Sequence, residues 1–175
     1  MKNIVAILGA ATCLAACANM GSDKSGAPTE SGGVEVAFQA PIDFIPAALG
    51  SYEWKITTDN EQAQAYFKQG IQLRYAYNVD EAARSMTEAR RLDPECAMCY
   101  WGEAFALGSF LNGVMSAEKG PYAHAAIEKA VALAGNVTEL EHDLIMAARV
   151  RYPAAWDPED RRPVDEAFAA EMAKV

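Results

Sequence analysis

Tyr66-Phe67-Lys68-Gln69-Gly70-Ile71-Gln72-Leu73, then Glu81-Ala82-Ala83-Arg84-Ser85-Met86-Thr87-Glu88-Ala89, then Asp93-Pro94, is the stretch that decides the fold. In its first part Tyr66, Phe67, Gly70, Ile71 and Leu73 recur at three- and four-residue spacings, the period of a helix buried along one face. Ala82, Ala83, Met86 and Ala89 repeat the pattern after Tyr77-Asn78. The spacing predicts helices over 60–76 and 79–92, paired antiparallel with Gly70 against Ala82. Small residues suit the point where two helix axes cross closely.

The same pattern extends outward in both directions. Thr58-x-x-Glu61 fits a capping box ahead of the first helix. Asp93-Pro94 reads as the start of a third helix, with Asp as N-cap and Pro at the first helical position. That helix carries Met98, Trp101, Ala104, Phe105 and Leu107. Gly120-Pro121 opens a fourth, ending before Gly135. Thr138-x-x-Glu141 caps a fifth, carrying Leu144, Ile145, Ala148 and Val150. Pro153, Pro158 and Pro163 interrupt before a sixth over 164–175. Residues 34–57 hold apolar side chains such as Phe38, Ile42, Phe44, Ile45 and Trp54, broken by Pro41, Pro46 and Gly50. They predict an irregular segment packed on the body, extended over 52–57. The fold class is all-α.

Composition agrees. The chain has 175 residues, 51% of them apolar and 22% charged, enough to build a core. Alanine is the commonest residue and favours helix. The net charge of −9, from 15 basic and 24 acidic residues, argues against nucleic acid and anionic lipid surfaces as partners.

The N-terminus reads as an address. Lys2 precedes an apolar run, Ile4 to Ala11, too short for a permanent span, and Leu14-Ala15-Ala16-Cys17 follows. Those four residues resemble the lipobox of bacterial lipoproteins. The resemblance implies a signal peptide over 1–16, cleavage before Cys17, and acylation of Cys17, palmitate being the usual chain. Cys13, the competing position, follows Ala10-Ala11-Thr12 and lacks the preferred Leu. Ala18-Asn19-Met20 carries no Asp after the Cys, which implies an outer-membrane anchor facing the periplasm. Residues 18–33 are small and polar and form a flexible tether, with an r.m.s. reach of about 20–25 Å. The chain thus divides into the signal peptide 1–16, the lipidated Cys and flexible or irregular tether 17–50, and a helical domain 51–175.

The helical domain resembles the tetratricopeptide repeat family, whose period is about 34 residues. With the repeat's closing proline on Pro94, its large first-helix residue is Tyr66, its small one Gly70 and its next apolar one Leu73. In the second helix the conserved-type positions fall on Ala82, Met86 and Ala89. Gln69 stands where the family pattern has Leu. The next unit fits Tyr100, Ala104 and Leu107, then Ala123, Ile127 and Ala130 after an insertion of about seven residues near 108–120. A third unit keeps Leu144 and little else. The sequence is also similar to a group of bacterial repeat lipoproteins in Gln64-Ala65-Tyr66-Phe67-Lys68-Gln69-Gly70, Glu81-Ala82-Ala83-Arg84-Ser85 and Asp93-Pro94-Glu95-Cys96-Ala97-Met98-Cys99-Tyr100-Trp101-Gly102-Glu103-Ala104. That group carries a His after an aromatic-Asn pair; here Tyr77-Asn78 precedes Val79. The resemblance implies a helical-hairpin solenoid and no particular activity.

Cys96-Ala97-Met98-Cys99 is the sharpest chemical feature. With Asp93 as N-cap, Cys96 falls in the first helical turn, where free amides and the helix dipole stabilise a thiolate. Haem attachment needs a His where Tyr100 stands, zinc needs further ligands, and thioredoxin chemistry needs a βαβ surround. After loss of Cys13 and modification of Cys17, the remaining thiols sit in an oxidising compartment. A local disulfide, two slowly oxidised thiols, and a redox or copper(I) site using Met98 or Met115 all fit, and the disulfide is the working expectation. His124 and His142 read as surface or interhelix residues, Glu103 as part of a solvated face. Tyr75, Tyr77, Tyr100 and Trp101 read as core and inter-repeat packing. Ser31-Gly32-Gly33 lacks the Lys of a phosphate loop, and no Ser–His–Asp set assembles.

These readings lead to a lipid-anchored scaffold in the cell envelope, without enzymatic activity, cofactor or metal, that binds a protein or peptide in the groove formed by the first helices of its repeats. The alternative is a periplasmic thiol-redox or copper-handling protein centred on Cys96 and Cys99. The last helix ends without Gly, Pro or a polar cap, which leads us to expect further repeats beyond Val175.

Overall fold

The computed structural model describes residues 37–45 and 50–175, within one compact unit that runs from Glu35 to Val175. The expected signal peptide over 1–16, Cys17 and the expected tether over 18–33 lie outside the described residues. The described residues form six α-helices and no strand, only an isolated bridge between Phe110 and Gly113. The helices are α1 (Glu61–Tyr75), α2 (Val79–Leu92), α3 (Ala97–Leu107), α4 (Gly120–Leu133), α5 (Glu139–Arg149) and α6 (Arg162–Met172). Short 3-10 turns occupy Ala37–Gln39 and Ala134–Asn136. Helices adjacent in sequence pack in pairs, α1 on α2, α2 on α3 and α3 on α4, and α3 also touches α1 and α5. None of the described helices is long and apolar enough to cross a membrane.

The first hairpin follows the sequence pattern, with one change at each end of α1. Asn60 caps the helix, its Oδ1 accepting from the Gln62 and Ala63 amides at 3.0 Å each. Thr58, expected to do this, instead accepts from Asn60 N and donates to Asp93. At the C-terminus the Tyr77 amide bonds Arg74 O at 3.2 Å and the Asn78 amide bonds Leu73 O at 3.0 Å, a Schellman closure. Glycine usually fills the left-handed position of that motif. Here Tyr77 does, at φ 63°.

Met86 organises the crossing of the first three helices. A Cβ built on Gly70 would sit 2.7 Å from Met86 Cε, and one on Gly102 would sit 2.5 Å from Met86 Sδ. The residue that presses on Gly70 is therefore Met86, one turn beyond the expected Ala82. Met86 is fully buried, worth about 1.5–3 kcal/mol relative to exposure. Glu103 is not on a solvated face. It is buried, and its carboxylate pairs with the Arg90 guanidinium and accepts from Thr87 Oγ1 at 3.3 Å, tying α3 to α2.

Helix α3 starts later than Asp93-Pro94 implied. Asp93 Oδ1 accepts from Glu95 N at 3.1 Å in a tight turn, so its carboxylate is occupied before the helix begins. Cys96 is the N-cap, and its Sγ accepts from the Cys99 amide at 3.1 Å. Helix α4 begins at Gly120-Pro121 as expected. Thr138 and Glu141 form the expected capping box of α5. Helix α6 starts at Arg162, with Pro163 in its first turn, and buries none of its residues.

Phe38, Ile42 and Trp54 of the irregular segment pack on the body, as their apolar side chains led us to expect. Phe38 is buried edge-on against Tyr122, with ring centroids 5.1 Å apart. Arg84 donates to the Ala40 and Pro41 carbonyls. Gln69 is buried with its amide bonded: its Oε1 accepts from Ile45 N at 2.7 Å, and its Nε2 donates to Asp43 O and Ser85 Oγ. A leucine there would fill the space and leave this strap without its hydrogen bonds.

Candidate functional site: an arginine recess beside an aromatic cavity

Helices α1, α3 and α5 contribute one face of the body, and two adjoining cavities open on it. The first, about 510 Å³, is lined by Arg74, Tyr75, Tyr77, Phe105, Ser109, Phe110, Leu111, Arg151, Arg161 and Asp165. The second, about 250 Å³, is lined by Trp54, Ile71, Tyr75, Trp101, Phe105, Leu144, Ala148, Arg151, Tyr152, Phe168 and Met172. Tyr75, Phe105 and Arg151 line both. The pair of cavities is apolar on one side and cationic on the other.

Arg74 is the anomaly of the cationic side. It follows Phe67, Gly70 and Ile71 on the buried stripe of α1 and is itself only 6% exposed. Its Nη2 donates to Gly108 O at 2.9 Å and Ser109 O at 3.1 Å, while its buried Nη1 has no partner among the described residues. The guanidinium lies between two aromatic rings, 5.3 Å from the Phe105 centroid and 4.9 Å from that of Phe110, which supplies cation–π attraction on both sides. Burial pulls its pKa below the ordinary arginine value, and the nearby Arg151 charge acts in the same direction. An arginine remains charged in proteins even so.

The residues from 108 to 119 connect α3 to α4, and Ser109, Phe110 and Leu111 among them build one wall of the recess. Ser109 Oγ accepts from Met115 N at 3.0 Å, and Met115 O accepts from Trp156 Nε1 at 3.0 Å. Phe110 and Gly113 exchange two backbone bonds, placing Leu111 at the tip, 92% exposed. Gly108 must be glycine, since a Cβ there would lie 2.4 Å from the Tyr152 hydroxyl oxygen. Burial raises the Tyr152 pKa, so the phenol stays protonated. Arg151 donates to Ser109 O at 3.0 Å and lies 4.6 Å from the Phe168 ring centroid. Arg161 pairs with Asp165 at 3.4 Å, both partly exposed.

Tyr75 and Tyr77 are not core residues. They are 71% and 59% exposed and stand at the recess, Tyr77 edge-on to Phe110 at 5.8 Å. A left-handed tyrosine costs about 1–2 kcal/mol over glycine, and such strain tends to gather at functional sites. Trp101 is buried, as expected. It stacks on Phe105 at 5.1 Å and meets Trp54 edge-on at 5.6 Å. Tyr100 is partly buried between the Arg90 and Lys129 side chains.

The sulfurs of Cys96 and Cys99 lie 2.12 Å apart, at disulfide distance. Both residues are buried, at 1% and 0% exposure, which restricts the access of an exchanging thiol. Among the described residues no group of three or more His, Cys, Asp or Glu side chains is placed to hold a metal ion. His124 is partly buried with Nδ1 2.9 Å from Tyr152 O, and His142 is exposed beside Asp143. Of the repeat-motif residues, Gly70, Leu73, Ala82, Met86 and Ala89 are buried in the helix pairs, Tyr66 is partly buried, and Pro94 lies in the turn before α3.

Sequence reasoning missed Arg74, Phe110, Arg151 and Arg161 as site residues. Arg74 left a readable trace, a charge in the apolar stripe of α1. The other three left none: Phe110 and Arg151 meet residues distant in sequence, and Arg161 forms an ordinary i, i+4 pair with Asp165. Comparison with protein-family models, with curated proteins and with solved structures yields no match.

Proposed function

We propose that this chain is a lipid-anchored scaffold of tetratricopeptide-like hairpins, facing the periplasm, that binds a protein or peptide segment along the α1–α3–α5 face. Leu14–Cys17 supports the anchor, through its likeness to a lipobox. The hairpin pairing of α1 with α2 and α3 with α4, and the contacts of α3 with α1 and α5, support the repeat reading. One observation carries the binding role. Helix α6 buries no residue of its own, yet Phe168 and Met172, one turn apart, line the aromatic cavity. An amphipathic helix that lays an i, i+4 pair into an apolar groove is a recurring mode of peptide recognition. We read α6 as an occupant in cis of a groove suited to such a segment.

The test uses the full chain with Phe168→Glu and Met172→Glu, which removes the cis pair from the groove. A fluorescent peptide of residues 161–175 is added in trans, and its anisotropy is followed. The peptide should bind the double variant more tightly than the unaltered chain, and Trp101→Ala in the same background should weaken it. Equal, negligible binding to all three proteins would refute the reading.

A further inference from the structure

We infer that the two adjoining cavities form a binding site for a small amphiphilic carboxylate, an acyl or aryl chain carrying one anionic head. This rests on the preceding reading only for its location, since it concerns what the pocket itself holds. Three arginines, Arg74, Arg151 and Arg161, gather at one recess of a chain whose net charge is −9. Asp165 is the one acidic side chain among the described residues that line it. Cationic side chains concentrated against the sign of the whole molecule favour an anionic ligand in that recess. A planar guanidinium also matches a carboxylate in two parallel hydrogen bonds.

The neighbouring cavity fixes the other half of the ligand. Its walls are Trp54, Ile71, Trp101, Leu144, Phe168 and Met172, with Arg151 at the junction with the recess. The recess, about 510 Å³, lies in the volume range of small-molecule sites, which combine apolar walls with a few convergent polar groups, and the adjoining cavity adds about 250 Å³. A head at Arg151 and Arg161 puts its chain among the tryptophans. Arg74 sits behind, its buried Nη1 unpartnered among the described residues and its Nη2 bound to the Gly108 and Ser109 carbonyls. It holds the recess wall in shape and adds positive potential without needing direct contact.

Octanoate is the probe, titrated into the full chain by calorimetry and by the fluorescence of the tryptophans. Acetate supplies the head alone. 1-Octanol and octylamine supply the tail without a carboxylate. Octanoate should bind at one site per chain and shift the fluorescence, at least roughly tenfold more tightly than each of the other three, the weight of one charge-assisted hydrogen bond. Arg151→Gln should weaken octanoate by a similar factor. Should that variant lose its cooperative melt, Arg161→Gln decides, since Arg161 is partly exposed and its ion pair is with Asp165 on the same helix. Octylamine or octanol binding as tightly as octanoate, or octanoate affinity unchanged in the folded arginine variants, would overturn the proposal. The 161–175 peptide assay reads groove recognition separately, so loss of one result leaves the other standing.

Discussion

Replacing Glu141 should loosen the body in a pH-dependent way. The residue is 3% exposed, and its carboxylate serves two structures at once. It closes the capping box of α5, accepting from Thr138 N at 3.0 Å and Thr138 Oγ1 at 2.9 Å. It also clasps residue 57 from 84 positions away, accepting from Thr57 N at 2.7 Å and from Thr57 Oγ1. Loss of the box costs about 1 kcal/mol. The clasp adds about 1–2 kcal/mol, near the low end for bonds to a charge, because Thr57 is exposed and water replaces part of the loss. Glu141→Ala should therefore cost about 2–3 kcal/mol, and Glu141→Gln about 1 kcal/mol, because an amide turns one donor toward another. Burial raises the Glu141 pKa and is the largest single influence. The bonds from Thr57 and Thr138 together outweigh it, so the pKa lies below the ordinary value. A carboxyl whose folded pKa is depressed contributes stability above its unfolded pKa, about 4.3, and loses it as pH falls through the folded value. The gap between the unaltered chain and Glu141→Gln should be full at pH 7 and narrow below about pH 4. Urea melts across that range measure it. A cost for Glu141→Ala under about 0.5 kcal/mol at pH 7, or a gap that widens in acid, would refute the reasoning.

Four further outcomes follow from the same packing. Gly102→Ala should destabilise by about 1–2 kcal/mol despite alanine's helix preference, because its Cβ meets Met86 Sδ and the Phe67 ring; Met86→Ala in the same chain should recover part of the loss in a thermal melt. Tyr77→Gly should leave stability within about 1 kcal/mol, since relief of the left-handed strain offsets loss of the Phe110 contact, while octanoate binding weakens. Thiol titration of the denatured chain, without reductant, should find neither Cys96 nor Cys99 free. Their double Ser variant should stay folded and lose about 2 kcal/mol, the short closed loop setting the scale while a hydroxyl at position 96 still caps α3. Finally, Cys17→Ser should abolish incorporation of labelled fatty acid; retained label would remove the anchor from the proposal.

The helices were legible in the residues because their signals are local. Val79–Leu92 matches its expected bounds, Gly120-Pro121 opens α4, and Thr138 with Glu141 caps α5. Apolar spacing, proline and capping pairs act within a few residues, so they are written where they operate. The start of α3 was misplaced because two caps competed: Asp93 was drawn to Thr58 and Glu95, and Cys96 took the role. The choice depended on a partner 35 residues earlier. Gln69, Glu103 and Arg74 look like faults in an apolar stripe until their partners arrive from the strap, from α2 and from the 108–119 loop. Burial punishes an unpaired polar group, so such residues survive only where the tertiary structure brings a complement. By itself the sequence determined where the chain coils into helices and which stripe of each turns inward. Only the tertiary structure decided which of the odd polar residues would be satisfied. It also decided that Arg74, Arg151 and Arg161 would meet beside an aromatic cavity, because electrostatic complement is a property of distance in space and leaves no period along the chain.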